Sequence, residues 1–292
     1  MTEDLRRKLQ DLHSLFDSGL LSAEDYAREK ERLLAAWRQS PPAPAPTEPP
    51  LSLAPLPTVI ALPLRDYLDE THPVLKLWYA CDSVELLLRL VVMLAVAERT
   101  RRGPLEPALR RRLHDCGLEQ PSLGAWRALA DALVPPAPDA DALLPELPAL
   151  LRETLLPLLD GPVGSARTET TSFSALRNRL AHGGGIRRTL AERLLERWDA
   201  PFLNAMRCTV WLATVDLVVR DGRGGYGVLR GPTPQAQPYT PADPAALAGA
   251  FAAGDAVALA RGAVALPLWP LALYGAPRGV DPDAPPAREI VP

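Results

Sequence analysis

The chain has 292 residues, of which 47% are hydrophobic, so it can bury the core of one large or two modest domains. Its formal net charge of −3 gives no overall positive field to attract a polyanion. Any contact with nucleic acid must therefore rest on a local basic patch.

Cysteine usage and apolar runs bear on the compartment. The cysteines, Cys81, Cys116 and Cys208, are odd in number and far apart, which is typical of a reduced cytosolic protein without disulfides. The N-terminus lacks the apolar segment of a signal peptide, and the longest apolar runs are too short or too broken to cross a membrane. We therefore expect a cytoplasmic protein that makes no membrane contact.

The N-terminal segment, residues 1–39, predicts a helical hairpin. Leucines recur at helical spacing, Ser18-Gly19 interrupts the pattern, and Ser22 with Asp25 three residues later forms a capping-box-like start of a second helix. The run from Ser18 to Tyr26, followed by Lys30 and Leu33-Leu34, resembles the SHOCT (short C-terminal) domain. That resemblance implies an oligomerisation or docking hairpin, and an ordinary coiled hairpin is the alternative.

Residues 40–63 are dense in proline and lack helical periodicity, which predicts an extended linker. Residues 64–220 predict an antiparallel helical bundle, so the fold class is mainly α. Its centre is expected to be the long apolar helix Val74–Thr100, hydrophobic on most sides. The other helices are predicted at 105–115, 122–134, 141–158, 172–182, 189–198 and 201–219.

Beyond residue 220 the composition changes, and residues 221–292 predict a small β extension with a flexible tail. Residues 256–269 alternate about an Arg261-Gly262 turn, which indicates a hairpin, and a short helix is expected near 243–253. The last residues, from Pro277, are predicted to be disordered.

The stretch SFSALRNRLAHGGG, Ser172 to Gly185, contains the one motif that suggests chemistry. Five residues along an ideal helix turn through about 500°, which leaves Arg177 and His182 about 140° apart. A regular helix would not place them side by side. The pair therefore favours a site at a helix end, or one completed by a second copy of the chain.

Metal-free RNA cleavage is the chemistry that such a pair can perform. His182 can exchange a proton with a ribose hydroxyl or a leaving oxygen, while Arg177 can hold a phosphate and neutralise its growing charge. Asn178 can fix the histidine tautomer or bind a phosphate oxygen. Four histidines occur without metal-ligand spacing, so we expect no metal and no cofactor.

The Arg177-Asn178-x-x-x-His182 pattern, in a helical bundle whose long first helix carries Asp82 and Glu85, resembles the HEPN superfamily. The resemblance spans roughly residues 64–220. It implies a metal-independent endoribonuclease acting on RNA as a homodimer or higher oligomer, often controlled by a sensor, an antitoxin or an NTPase partner.

Carried over to this chain, the resemblance makes Arg177 and His182 catalytic and Asn178 the supporting polar residue. HEPN toxins that are controlled by nucleotidyl-transferase antitoxins often carry a tyrosine two residues after the histidine. Here that position is Gly184, which puts this form of control in doubt.

The charged residues near the motif, and those on the long helix, each allow two interpretations. Arg179, Arg187 and Arg188 can form a substrate-binding basic patch together with Arg177, or simply a solvated basic face. Glu85 can pair with Arg89 four residues later on the same helix. Alternatively, Glu85 and Asp82 are supporting groups that orient Arg177.

The sequence thus supports an endoribonuclease of a bacterial defence or toxin–antitoxin type system, which cleaves RNA by attack of a 2′-hydroxyl. The alternative is a non-catalytic HEPN-like dimerisation module that recruits a sensor or an NTPase. A helical scaffold without any site is a third interpretation, in which His182 merely complements the macrodipole at a helix end.

Overall fold

The structure is a computed structural model. It describes residues 13, 22, 25–28, 30, 31, 51–115, 122–134, 141–161, 172–181, 186–220, 224–252, 257–268, 273–275 and 289–291. The chain divides into two units, residues 1–50 and residues 51–292, and each is treated by itself. His182, Gly184 and the segment 40–50 lie outside the described residues.

In the first unit, the predicted helix start at Ser22 is confirmed. The Ser22 hydroxyl accepts a hydrogen bond from the backbone N–H of Asp25 at 3.1 Å and donates one to the Asp25 carboxylate at 2.7 Å. The Tyr26 N–H then bonds the Ser22 carbonyl at 2.9 Å, as in the first turn of a helix. His13 and Tyr26 bring their rings to within 6.0 Å of each other, which joins the two predicted halves of the hairpin at one point.

The predicted linker ends earlier than its proline content suggests. Residues 51–57 lead into helix α1, Thr58–Asp69, so the extended segment predicted to reach residue 63 is wrong over its last part. Although Pro63 removes one helical hydrogen bond, Ile60, Leu64 and Tyr67 form a buried stripe that outweighs this loss. The prolines hid that periodicity.

The second helix, α2, spans Pro73–Arg102 and is the centre of the bundle, as predicted. Pro73 stands at its first turn, where the missing N–H costs nothing, and Gly103 ends it with a φ of +149° that favours glycine. The helix is buried on most sides and packs against α1 and several later helices.

Further helices follow close to their predicted positions. They are α3 (Pro107–Asp115), α4 (Leu123–Leu133), α5 (Leu147–Ala149), a π-helical segment (Leu150–Leu155), α6 (Leu156–Asp160), α7 (Phe173–Ala181) and α8 (Arg188–Arg207). The predicted helix 141–158 is wrong over 141–146, which lie before α5.

The end of the predicted bundle needs a correction. Helix α8 continues through Pro201, because its buried face runs unbroken across the proline. The predicted helix 201–219 is therefore wrong: after α8 come a 3₁₀ segment, Val210–Thr214, and strand β1, Asp216–Arg220. The run of β-branched and leucine side chains in β1 is buried, as in a central strand.

A five-stranded antiparallel sheet follows the bundle, with the order β3-β2-β1-β4-β5. The strands are β1, β2 (Tyr226–Val228), β3 (Gln237–Pro238), β4 (Ala258–Arg261) and β5 (Val264–Pro267), with helix α9 (Pro244–Ala250) between β3 and β4. The predicted hairpin and the predicted short helix are thus confirmed, but the sheet begins at residue 216 rather than 221.

Two more strands, β6 (Leu273–Gly275) and β7 (Glu289–Val291), pair antiparallel with each other. The prediction of a wholly disordered tail is therefore wrong for residues 289–291, because the chain returns to pair with β6. No helix within the described ranges is long and apolar enough to cross a membrane.

Contacts distant in sequence attach the sheet to the helices. The Thr58 N–H bonds the Leu229 carbonyl at 3.2 Å, and the Gly231 N–H bonds the Leu56 carbonyl at 2.8 Å. Arg261 of β4 reaches the segment before α5, where it forms a bidentate ion pair with Glu146 at 2.7 and 2.9 Å. The sheet and the helical bundle therefore form one folded body.

Candidate functional site

Helix α7 carries Arg177 and Asn178 of the motif and is fixed at its N-terminal end. The Ser172 hydroxyl accepts a hydrogen bond from the Ala175 N–H at 3.1 Å and caps the helix. Phe173 and Leu176 are buried, and the Phe173 ring meets the Trp198 ring edge-on at 5.0 Å. These contacts decide which face of α7 turns toward the bundle.

Arg177 lies on that inward face, because it follows Phe173 by one helical turn. Its Nε–H donates to Glu85 Oε2 of α2 at 2.7 Å, across 92 residues of sequence. Arg89 donates to the other oxygen, Glu85 Oε1, at 2.6 Å. The Glu85 side chain is 11% exposed and the Arg177 side chain 27%. We call these three residues the Glu85 cluster.

The Glu85 carboxylate thus pairs with Arg89 on its own helix and also with Arg177 of α7. The contacts leave both Nη groups of Arg177 without a partner among the described residues. A guanidinium has five N–H donors, of which Nε provides one. Arg177 can therefore bind a further anion while its orientation stays fixed by Glu85.

Asp82 lies one turn before Glu85 on the same side of α2. Burial raises the pKa of the Asp82 carboxyl, and the nearby charge of Glu85 raises it further, while the Trp78 side chain, Arg177 and Arg89 act in the opposite direction. Asp82 therefore interacts with Arg177 of α7 through its charge alone. Glu85 is the one of the two that contacts Arg177.

Two residues near the site were not assigned to it from the sequence. Arg89 was interpreted only as a partner of Glu85, and no role at the site was predicted for Trp126. The Arg89 guanidinium lies over the Trp126 ring at 5.9 Å, and Arg89 Nε is buried without a partner among the described residues. The spacing of Arg89 from Glu85 was the available signal, whereas nothing in the sequence indicated Trp126.

Of the remaining predicted residues, four are exposed and His182 lies outside the described residues. Asn178 and Arg179 are exposed on the outward face of α7, and Arg187 and Arg188 are exposed at the start of α8. Arg188 forms an exposed ion pair with Glu192 at 3.0 Å. These side chains are accessible to a solute, but they do not contact the Glu85 cluster in the described contacts.

No three His, Cys, Asp or Glu side chains of the described ranges are grouped so that they could hold a metal ion. Comparisons with protein-family models, with curated proteins and with solved structures find no match for this chain. The site is therefore defined by its own geometry. It is an arginine held by a nearly buried carboxylate at a helix contact, in a mainly helical protein with a small antiparallel sheet.

Proposed function

We propose that this protein is a metal-independent endoribonuclease of HEPN type that serves a bacterial defence or toxin–antitoxin system. The observation that carries the proposal is the 2.7 Å contact between Glu85 and Arg177. It fixes a partly exposed guanidinium, with Nη donors to spare, at the start of the Arg-Asn-x-x-x-His sequence. A phosphodiester is the substrate group whose charge and geometry this donor matches.

In the proposed reaction, the 2′-hydroxyl oxygen attacks the adjacent phosphorus and the 5′-oxygen of the next nucleotide leaves. A histidine takes the hydroxyl proton and a protonated histidine supplies one to the leaving oxygen, so the products are a 2′,3′-cyclic phosphate and a 5′-hydroxyl. His182 has this role, and in a homodimer the two copies supply one histidine each. Arg177 stabilises the charge that grows on the phosphoryl oxygens.

The other residues of the motif have supporting roles in this proposal. Asn178 orients His182 or binds a phosphate oxygen. Arg179, Arg187 and Arg188 bind phosphates of the RNA on either side of the cleaved bond, for which their exposure suits them. No cofactor takes part.

The test uses purified wild type and the variants His182→Ala and Arg177→Ala, each incubated with total tRNA and a single-stranded RNA in EDTA. The matched control is His114→Ala, which removes an exposed histidine on α3. Cleavage with cyclic-phosphate ends is expected in the wild type and the control, and a loss of at least about 100-fold in the two motif variants. Unchanged cleavage by His182→Ala would falsify the proposal.

A second candidate has one observation in its favour. Arg177 is three-quarters covered and already paired with a carboxylate, as in an ion pair that serves only the packing of two helices. The protein would then be a non-catalytic HEPN-like dimerisation module that recruits a sensor, an antitoxin or an NTPase. A double Arg177→Ala, His182→Ala variant separates the two, because an enzyme loses its biological effect while its oligomer persists, whereas a module keeps both.

A further inference from the structure

A groove lies between α8 and the segment formed by the π-helical turn and α6. Its volume is about 460 Å³, within the range of roughly 300–1,000 Å³ typical of small-molecule sites. One wall is formed by Glu153 and Thr154 of the π-helical segment with Pro157 and Leu158 of α6, and π-helical turns of this kind often occur at functional sites. The other wall is the C-terminal half of α8. This groove is separate from the Glu85 cluster and shares no residue with it.

The lining of the groove selects for a particular kind of molecule. Apolar walls come from prolines, Leu158 and the Trp198 ring, while Thr154, Asn204 and the exposed thiol of Cys208 add polar atoms. Glu153 is the single charged side chain among the lining residues. A cation is therefore favoured over an anion, and a planar apolar group fits beside the indole.

Both walls of the groove also contact the first turn of α7. Trp198 packs edge-on against Phe173 at 5.0 Å. On the opposite wall, the residue next to Leu158 accepts a hydrogen bond through its carbonyl: Ser174 Oγ donates to Leu159 O at 3.1 Å. A molecule in the groove would therefore press on the two elements that fix the position of α7.

We infer that this groove is a binding site for a small organic cation with an aromatic ring, and that its occupancy steadies α7. The ring lies against Trp198 and the cationic group beside Glu153. This inference goes beyond the proposed nuclease activity and does not depend on it, because binding is measured without RNA.

The thiol of Cys208 makes the groove testable by disulfide exchange. All proteins carry Cys116→Ser, and Cys81 is buried. Three disulfide probes share an aryl amide and differ only in a terminal amine, hydroxyl or carboxylate. The Cys208 thiolate attacks one sulfur of the probe, a mixed disulfide forms, and the other half leaves as a thiol. Intact-protein mass spectrometry measures the dithiothreitol concentration that halves the labelling.

In the folded protein, the adduct of the amine probe is expected to withstand at least about fivefold more dithiothreitol than the adducts of the hydroxyl and carboxylate probes. In urea, the three adducts should withstand the same concentration. Equal retention of the three probes in the folded protein would overturn the inference. Glu153→Gln should remove the advantage of the amine. Glu196→Gln, which changes an exposed glutamate of α8 that does not line the groove, should preserve it.

Two further measurements complete the test. Thr154→Trp, at a half-buried rim position, should fill the groove and lower the retention of the amine probe, with circular dichroism as the check on folding. Hydrogen exchange of the amides in residues 173–181 should slow in the amine adduct relative to a methylthio adduct. Unchanged exchange there would overturn the link to α7, and unchanged retention in Thr154→Trp would overturn the site itself.

Discussion

Two glutamates of α2 offer a comparison within a single helix. Glu85 and Glu98 are each 8% exposed, and each binds two arginines. Glu98 makes all its contacts through Oε1, with Arg101, Arg102 and the backbone N–H of Leu143, and its buried Oε2 has no partner among the described residues. Glu85 uses both oxygens, and one of them holds a side chain of the motif.

The difference shows that burial alone does not determine the role of a glutamate in α2. Although the two residues are equally buried and bind two arginines each, Glu98 also anchors a loop backbone to the end of α2, whereas Glu85 controls the direction of Arg177. The contribution of a buried carboxylate to function therefore depends on which group it binds, and its burial alone does not reveal that contribution. Glu98 is the matched control for every substitution of Glu85.

The largest difference between them is expected in the proposed RNA cleavage. Glu85→Gln removes the charge that fixes the Arg177 guanidinium, so the rate of cleavage should fall by about 100-fold, comparable to the loss of a preorganised charge-stabilising contact. Glu98→Gln should stay within about threefold of the wild type, because Glu98 does not touch the motif. Single-turnover cleavage of one defined RNA measures both. Equal losses in the two variants would contradict the different roles of Glu85 and Glu98.

A smaller difference between Glu85 and Glu98 is expected in the free energy of unfolding. A double-mutant cycle of Glu85→Gln with Arg177→Gln is expected to give a coupling free energy of about 2 kcal/mol, since both partners are largely covered. The cycle of Glu98→Gln with Arg102→Gln should give about 0.5 kcal/mol, because Arg101 still binds the same oxygen. Urea unfolding measures both cycles, and a larger coupling at Glu98 would contradict the comparison.

A more exposed pair sharpens the comparison through its pH dependence. The hydrogen bonds from Arg261 lower the pKa of Glu146, whose side chain is 34% exposed. Its stabilisation is therefore present above the usual pKa of glutamate and is lost as the pH falls through the lowered value. Glu146→Gln should cost less than about 1 kcal/mol at pH 7, as for other solvent-screened pairs.

That cost should shrink as the pH falls from 7 to 3. Urea unfolding of the wild type and the variant at both pH values provides the measurement. A constant difference between them would show that the lost contribution is not ionic.

Asp82 should give the smallest effect, and with the opposite sign. Burial and the charge of Glu85 raise the pKa of Asp82, so its ionisation destabilises the folded state as the pH rises through the raised value. Asp82→Asn should therefore raise the melting temperature slightly at pH 7. At pH 3, where the carboxyl is protonated in both states, the gain should disappear. A variant that is less stable only at pH 7 would refute this sign.

Much of the architecture was predictable from the sequence, because helical periodicity and turn residues are local signals. They located α2, α7, the hairpin about Gly262 and the short helix α9. The wrong predictions lie where a local feature of the sequence disagreed with the packing of the folded chain. Prolines concealed α1 and the continuity of α8, and burial rather than alternation defined β1, whose central residues are all covered.

The site was predictable only in part. The two supporting carboxylates could be proposed because they lie on one side of α2, but the choice of Glu85 over Asp82 depends on how α7 is seated by Phe173 and Leu176. That seating is a property of the packed core. The position of Trp126 over Arg89 arises from the packing of α4 on α2, to which no short motif corresponds.

The backbone bonds that join residues 56 and 58 to residues 229 and 231 have a consequence for the order of assembly on the ribosome. The segment that enters α1 leaves the ribosome long before its partners in the sheet are synthesised, so these bonds cannot form until residues 229–231 have emerged as well. A nascent chain that stops short of Leu229 lacks these bonds. The start of α1 therefore acquires its native backbone contacts later than the helices that follow it in the chain.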